Sequence, residues 1–303
     1  MDISADKHNK FAATVGFFDG VHLGHRFLID ELKQFAADNG LKSMIITFKE
    51  HPRKVIDSSF KPQILTSNAE KLELLNTLNV DKIIELDFNK AMANMTADEF
   101  ITKVLYEQFN VRFLLVGHDH RFGKDRKEGF PEYYKYGKQL GMKVAQAARF
   151  STGDFQQVSS SSIRKALKEG KIAKANTLLS YPYSFTGLVV NGFKVGRKIG
   201  FPTANLSLVD TEKIIPGLGV YAVEIEWDKS VYKGMMNIGK RPTIDNGDNI
   251  SIEVHIIDFE SDIYNQKIKV RFLDKIRDEK KFNSVDELIE QLHKDKEFVI
   301  QKT

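Results

Sequence analysis

"AATVGFFDGVHLGHRFL", residues 12–28, passes from an apolar run through a glycine-punctuated turn into an amphipathic pattern. Residues 12–17 have the length and composition of a buried strand, and residues 24–39 carry apolar positions at helical spacing. A strand feeding directly into a helix is the opening unit of an α/β fold. The alternation continues: SMIITF (43–48), KIIEL (82–86) and RFLLVG (112–117) read as further buried strands, with helices over 67–79, 96–109 and 130–141. KVAQAARF (143–150) predicts one more strand, and short helices follow over 160–169 and 171–179. This rhythm predicts a Rossmann-like, doubly wound domain whose ligands bind beyond the C-terminal ends of its strands.

After Tyr181-Pro182-Tyr183 the period changes. GLVVNG (187–192), GVYAVEIEW (219–227), YKGMMNIG (232–239), ISIEVHIIDF (250–259) and QKIKVRFL (266–273) alternate with period two. Tyr221, Val223, Ile225 and Trp227 share one face, and turn residues such as Asp245-Asn246-Gly247-Asp248 separate the segments. Repeated short strands of this kind predict a small antiparallel β-barrel. A terminal helix closes the chain, with Ser284 and Glu287 as a capping box and Val285, Leu288, Ile289 and Leu292 as its apolar stripe. The expected domains are therefore 1–183 and 184–303.

Composition narrows the chemistry. The chain has no cysteine, which rules out a disulfide framework and thiolate-bound metals and fits a cytoplasmic location. Its first residues lack the pattern of a secretory signal, and no run of about 18 apolar residues predicts a membrane span. Residues 185–303 carry 18 Lys/Arg against 19 Asp/Glu, net −1, so the chain's total of +4 leaves +5 for residues 1–184. That surplus suits an anionic small molecule and is too small to predict nucleic-acid binding.

His22 and His25 sit where the first strand gives way to a helix, a place where backbone amides and the helix dipole favour anions. Gly20 and Gly24 allow close approach of a ligand to the backbone. A histidine near its ordinary pKa of about 6.5 donates hydrogen bonds, and a polyphosphate pushes it toward full charge. Two other readings stand beside this one: half of a metal site completed by Asp19, His118 and His120, or solvated loop histidines. VGHDHRFGKDRKEG (116–129) clusters Arg121, Lys124, Arg126 and Lys127 around Gly123, and in SSSSIRKAL (159–167) Arg164 follows helix-capping serines. A cation near a helix start is disfavoured by the dipole unless it is paired with an anion. There is no G-x-x-x-x-G-K-[ST] loop, and GLGVYA (217–222) precedes an alternating strand instead of a helix, so neither a P-loop nor a dinucleotide fingerprint is present.

In the second half, GRKIGFPTANL (196–206) offers neutral oxygens from Thr203 and Asn205 where Pro202 rigidifies the chain, against the alternative of a plain turn between barrel strands. Mg²⁺ shared with substrate phosphates takes oxygen ligands of this kind. Ile250, Ile252, Val254 and Ile256 face one way on their strand, which turns Glu253 and His255 to the other side. A carboxylate there is a candidate general base.

GFFDGVHLGH, TFKEHP (47–52), VGHDHRFG and VSSSSIR, followed in order by GRKIGFPTANL, PGLGVYAV (216–223), NIGKRPT (237–243), EVHIIDF and FLDKIRDEKKF (272–282), resemble the bifunctional prokaryotic riboflavin kinase/FMN adenylyltransferase (FAD synthetase) family over essentially the whole chain. The resemblance implies two reactions, riboflavin and ATP giving FMN, then FMN and a second ATP giving FAD and pyrophosphate, with Mg²⁺ as cofactor. It implies that His22, His25 and Arg164 are catalytic in the second reaction, and that Gly16, Phe18, Asp19, Gly24, Ser160 and Ser161 bind ATP there. Asp119, Phe122 and Arg126 would help to hold substrate, as would Arg277 in the barrel. In the first reaction Glu253 would be the base, with Gly196, Thr203 and Asn205 at the nucleotide and Thr203 and Asn205 on the metal. Departures are Phe17 where many members carry Asn, Ser161 for the usual Thr, a KDRKEG loop one residue longer, and Asn265 where Gly is frequent. Two alternatives follow: an adenylyltransferase whose barrel binds flavin without catalysis, and a nucleic-acid-binding relative, since aminoacyl-tRNA synthetases share a similar histidine motif. Thr203, Asn205 and Glu253 argue against the first and the modest charge against the second. The expected partners are small molecules, with no nucleic acid and no membrane.

Overall fold

The computed structural model of the chain describes residues 9–118, 120–150, 158–192, 195–240 and 250–302. The chain forms two compact units, Met1–Ser159 and Ser160–Thr303.

The first unit is built on five parallel strands: β1 (Phe11–Val15), β2 (Lys42–Phe48), β3 (Lys82–Leu86), β4 (Val111–Val116) and β5 (Lys143–Gln146). Their order is β3-β2-β1-β4-β5. Side chains alternate across the sheet and feed two cores. Phe11, Ala13 and Val15 join Met44, Ile46, Leu114 and Val116 on one face. Ala12, Ile45, Phe113 and Leu115 meet Leu28, Ile29, Leu32 and Ala36 of the Leu23–Asp38 helix on the other. The Asn68–Asn76 and Phe130–Leu140 helices lie close to their expected positions. The expected helix over 96–109 is a turn of α-helix, Ala97–Glu99, continued as a π-helix over Phe100–Gln108. The predicted last strand is shorter than its apolar run, ending at Gln146. The strand order reverses between β1 and β4, so the loops after these two neighbours open into the same crevice.

In the second unit the Ser160–Lys168 and Ile172–Leu179 helices precede a closed barrel of order β10-β7-β6-β11-β8-β9. Its strands are β6 (Ser184–Val190), β7 (Ala204–Leu208), β8 (Gly219–Trp227), β9 (Ser230–Lys240), β10 (Ile250–Ile256) and β11 (Lys267–Arg277). The helices are tied to the barrel: Asn176 Nδ2 donates to Phe272 O (2.8 Å) and Gly217 N to Leu167 O (2.9 Å). The compact units thus meet at 159/160, upstream of the 183/184 border expected between functions. Residues 204–206 of FPTANL lie in β7, a strand not expected from the sequence, with β6 and β10 paired to it on both sides. The 245–248 turn lies outside the described residues.

The terminal helix, Val285–Gln301, begins as expected with Ser284 Oγ accepting from Glu287 N (3.2 Å). Glu287 returns its carboxylate to Asn283 N (3.0 Å), one residue before the cap. Ile289, Leu292 and Val299 pack over Phe201, Ala222, Met235 and Ile257, whereas Val285 is 57% exposed. The buried stripe therefore starts a turn later than its apolar spacing predicts.

Candidate active sites

In the first unit, β1 runs into a loop with three residues at positive φ: Phe18 (55°), Gly20 (82°) and Val21 (36°). Positive φ is strained for a β-branched side chain and persists where surroundings over-determine it. Here Phe18 and Val21 are buried, and Val21 N bonds to Phe18 O at 3.0 Å. A Cβ on Gly16 would stand 3.0 Å from the Phe18 ring, a tight contact that glycine avoids.

Asp19 is 4% exposed, and its Oδ1 accepts from Leu65 N (2.9 Å) and Thr66 N (3.2 Å). Thr66 Oγ1 in turn accepts from Gly20 N (3.0 Å). These bonds occupy Oδ1 of Asp19, one of the residues expected at the nucleotide. It staples the loop to residues 65–66.

His22 is the N-cap of the Leu23–Asp38 helix, and its Nδ1 accepts from His25 N at 3.3 Å. A neutral His22 therefore carries its proton on Nε2, as a donor. The His25 ring stacks on it, centroids 3.6 Å apart and planes 14° apart, with Phe18 edge-on at 5.2 Å. Burial first, then repulsion from His22 and His120, holds His25 well below the usual histidine pKa. Its Nδ1 is shut off from solvent without a hydrogen-bond partner. A Cβ on Gly24 would lie 3.3 Å from the His22 ring and 3.5 Å from Val158 O. The first helical turn carries no acidic residue, which leaves its positive end open to an anion.

The loop after β4 supplies His118 and His120; Asp119 lies outside the described residues. His118 Nε2 accepts from Arg149 Nε (2.8 Å). His120 N bonds to Gly117 O (3.0 Å), and burial, then the Arg126 charge, pushes its imidazole down to about 4. Phe122 stacks on Tyr133 at 4.2 Å and packs against the sheet core, so one face of this expected substrate residue is committed to structure. Arg126 is exposed, with Nε on Arg121 O (3.2 Å), and Asp125 and Arg126 both adopt left-handed angles where the loop is long. Gly123 (φ 88°) anchors that loop: a Cβ there would meet Ala97 N at 2.6 Å.

Two residues escaped the sequence reading. Lys71 is 1% exposed, donates from Nζ to Phe48 O (2.5 Å), and lies 4.5 Å from the centre of the Phe17 ring. Burial lowers its pKa to about 8. It shares a helix face with the buried Leu75, four residues on, and that spacing could have marked it. His51, edge-on to Phe17 at 4.8 Å, caps the Pro52–Ile56 helix. Among the described residues no group of three or more His, Cys, Asp or Glu is placed to hold a metal ion.

Ser160 and Ser161 open their helix, and Arg164 is half-buried one turn in; all three belong to the second unit.

In the barrel, Glu253 pairs across β10 with Asn205 of β7 and Asn237 of β9, which puts the three side chains on one face. Thr203 Oγ1 donates to Glu253 Oε2 at 3.4 Å. Asn205 is buried, and a Cβ on Gly192 would stand 2.0 Å from its Nδ2. A Cβ on Gly196 would stand 2.2 Å from Phe201 O. Beneath them His255 Nδ1 meets Pro202 O (2.8 Å) and its ring abuts Phe201, which holds the Pro202–Thr203 segment in place. A second carboxylate, Glu279, lies over Gly239, 2.3 Å from where a Cβ would be. Beside Thr203 opens a cavity of about 350 Å³ lined by Arg197, Val254, Ile256, Phe259 and Tyr264. Its size and mostly apolar wall suit a flat ring.

Arg277, expected at the substrate, pairs its guanidinium with Asp295. Nε and Nη2 reach Asp295 Oδ2 at 3.0 and 2.8 Å, and Asp295 is 1% exposed. A buried carboxylate demands such a partner, so this pair fastens the terminal helix to β11.

Residues 4–162 match the family model described as FAD synthetase, and residues 179–302 match the one described as riboflavin kinase. A bifunctional riboflavin kinase/FMN adenylyltransferase of Haemophilus influenzae is 39% identical over 94% of this chain and 92% of its own. Its counterpart in Bacillus subtilis is 36% identical over 98% and 93%. A solved chain described as a macrolide-efflux protein from Streptococcus pneumoniae superimposes with a TM-score of 0.85, at 33% identity over 96% of this chain and 94% of that one. What it shares is the fold; among the described residues no helix is long and apolar enough to cross a membrane. With both models matched in order along one chain, and curated relatives matched nearly end to end, the chain belongs to the bifunctional riboflavin kinase/FMN adenylyltransferase family.

Proposed function

We infer that this chain makes FAD from riboflavin in two ATP-dependent steps, with phosphorylation assigned to residues 184–303 and adenylyl transfer to residues 1–183. The observation that carries the reading is the hydrogen-bonded Thr203–Glu253 pair beside Asn205, since a barrel that only bound flavin would have no need of a base there. Glu253 takes the proton of the riboflavin 5′-hydroxyl; that oxygen attacks the γ-phosphorus of ATP, and ADP leaves. Thr203 donates to Glu253 and so keeps its own lone pairs available, and Asn205 adds a buried carbonyl oxygen. This all-oxygen set fits Mg²⁺, whose remaining ligands would be phosphates and water. Bound there, Mg²⁺ would neutralise phosphate charge during transfer. Glu253, Thr203 and Asn205 meanwhile orient the hydroxyl and hold its proton.

In the second step an oxygen of the FMN phosphate attacks the α-phosphorus of ATP and pyrophosphate leaves. His22 and His25, at the helix start, supply N–H donors to the phosphate oxygens, and the backbone amides of the first helical turn supply more. Gly16, Phe18 and Gly24 shape the backbone around them. By the family resemblance Ser160, Ser161 and Arg164 serve the departing pyrophosphate, while Asp119, Phe122 and Arg126 contribute to the substrate loop. A chain without cysteine fits a cytoplasmic site of action.

The test is chromatographic separation of riboflavin, FMN and FAD after incubation with ATP and Mg²⁺. Glu253→Gln should lower FMN formation by about 10²-fold or more while FAD formation from supplied FMN persists. His25→Ala should do the reverse. Equal loss of both activities in either variant refutes the division.

A further inference from the structure

The crevice between β1 and β4 receives side chains from both strands' loops. From β1 come His22 and His25; from β4 comes His120. Few buried side-chain nitrogens or oxygens among the described residues lack a hydrogen-bond partner, and two of those that do are His25 Nδ1 and His120 Nε2. An orphaned polar atom is costly in a folded protein and marks a place where a ligand completes the bonding. The two rings are also close enough for His120 to disfavour a proton on His25.

His120 is firmly held. Its amide bonds to Gly117 O (3.0 Å), the next turn is pinned by Phe122 N on Tyr133 Oη (2.9 Å), and Phe122 lies 5.9 Å from its ring. These contacts hold a ring whose buried Nε2 has no hydrogen-bond partner, on the loop after β4, the strand that neighbours the one leading to His22 and His25. We propose that His120 is a third histidine of the adenylyl-transfer site, whose Nε2–H donates to an oxygen of the bound nucleotide's polyphosphate alongside His22 and His25. As with His25, burial keeps the ring neutral at physiological pH, so it contributes a directed donor and no full charge. The proposal rests on the reading of the first unit as the adenylyltransferase.

Two substitutions separate binding from packing. His120→Phe preserves a flat ring and removes the donor; His120→Gln places an amide donor near the position of Nε2. FAD formation from FMN is measured with ATP varied, and riboflavin phosphorylation by the same protein reports that the chain is folded. His120→Phe should lower kcat/KM for ATP by about ten- to a hundred-fold, the range for a hydrogen bond to a charged group, and His120→Gln should recover most of it. Phosphorylation should be unchanged in both. Wild-type kcat/KM in His120→Phe, or equal losses without rescue by Gln, overturns the proposal and leaves His120 a packing residue. A wild-type chain that forms no FAD from FMN overturns the reading of the unit, and this inference with it.

Discussion

Lys71 carries an ammonium group into the core of the first unit, and its surroundings only partly offset the cost. The Phe48 carbonyl at 2.5 Å and the Phe17 face at 4.5 Å stabilise the charge, yet burial still lowers the pKa from 10.5 to about 8. The sign of the pH effect follows. Between pH 8 and 10.5 the unfolded chain holds a proton that the folded chain has released, so stability rises with pH across that window. The full gain is about 3 kcal/mol by the shift alone. Unfolding midpoints in denaturant at pH 7.5 and 10 should therefore diverge between wild type and Lys71→Met, with the wild type gaining at the higher pH; parallel curves refute the buried ammonium. Individual residues were legible where chemistry singles out their type: His22, His25 and Glu253 all lie where their spacing put them. Charged residues with an internal task were not. The partners that hold Asp19 and Arg277 in place lie 46 and 18 residues away along the chain, beyond the reach of any local pattern.

At the scale of elements, strands with clean alternation or continuous apolar runs were readable, because burial on one or two faces dictates composition. The failures have separate causes. The strand that starts within FPTANL is not legible in the sequence, because Pro202 interrupts any alternation there, and pairing from both sides makes residues 204–206 part of β7. The π-helix over Phe100–Gln108 departs from the 3.6 period on which helical spacing rests. β7 also brings the barrel site together, since it carries Asn205 opposite Glu253. Gly192 packs directly against Asn205, which is proposed for the site. A methyl group there would stand 2.0 Å from Asn205 Nδ2, so Gly192→Ala must displace the amide. Misplacement by about 1 Å can cost about 10²-fold in rate. Gly192→Ala should thus lose riboflavin phosphorylation by an amount of that order while FAD formation from FMN stays at the wild-type level. Unimpaired phosphorylation would remove Asn205 from the site.

For the whole molecule, the change of period after residue 183 revealed two architectures, but not which one the intervening helices join. Ser160–Lys168 and Ile172–Leu179 look like the end of the α/β rhythm, yet Asn176 bonds to Phe272 and Leu167 to Gly217 within the second unit. Helical periodicity shows that a face is buried and is silent about what buries it. The consequence is a structural border at 159/160 and a functional border assigned at 183/184, with Arg164 between them. If the functional assignment is right, Arg164→Ala in the full chain disables adenylyl transfer and spares phosphorylation, although Arg164 shares its compact unit with the barrel. Riboflavin and ATP should then yield FMN that accumulates. Adding Glu253→Gln protein, which cannot make FMN but can use it, should convert that FMN to FAD after a lag that shortens as more is added. FAD formation from FMN by Arg164→Ala alone at the wild-type rate would move the functional border to the structural one. Failure of the mixture, with each half-reaction intact by itself, would show that FMN does not pass between chains.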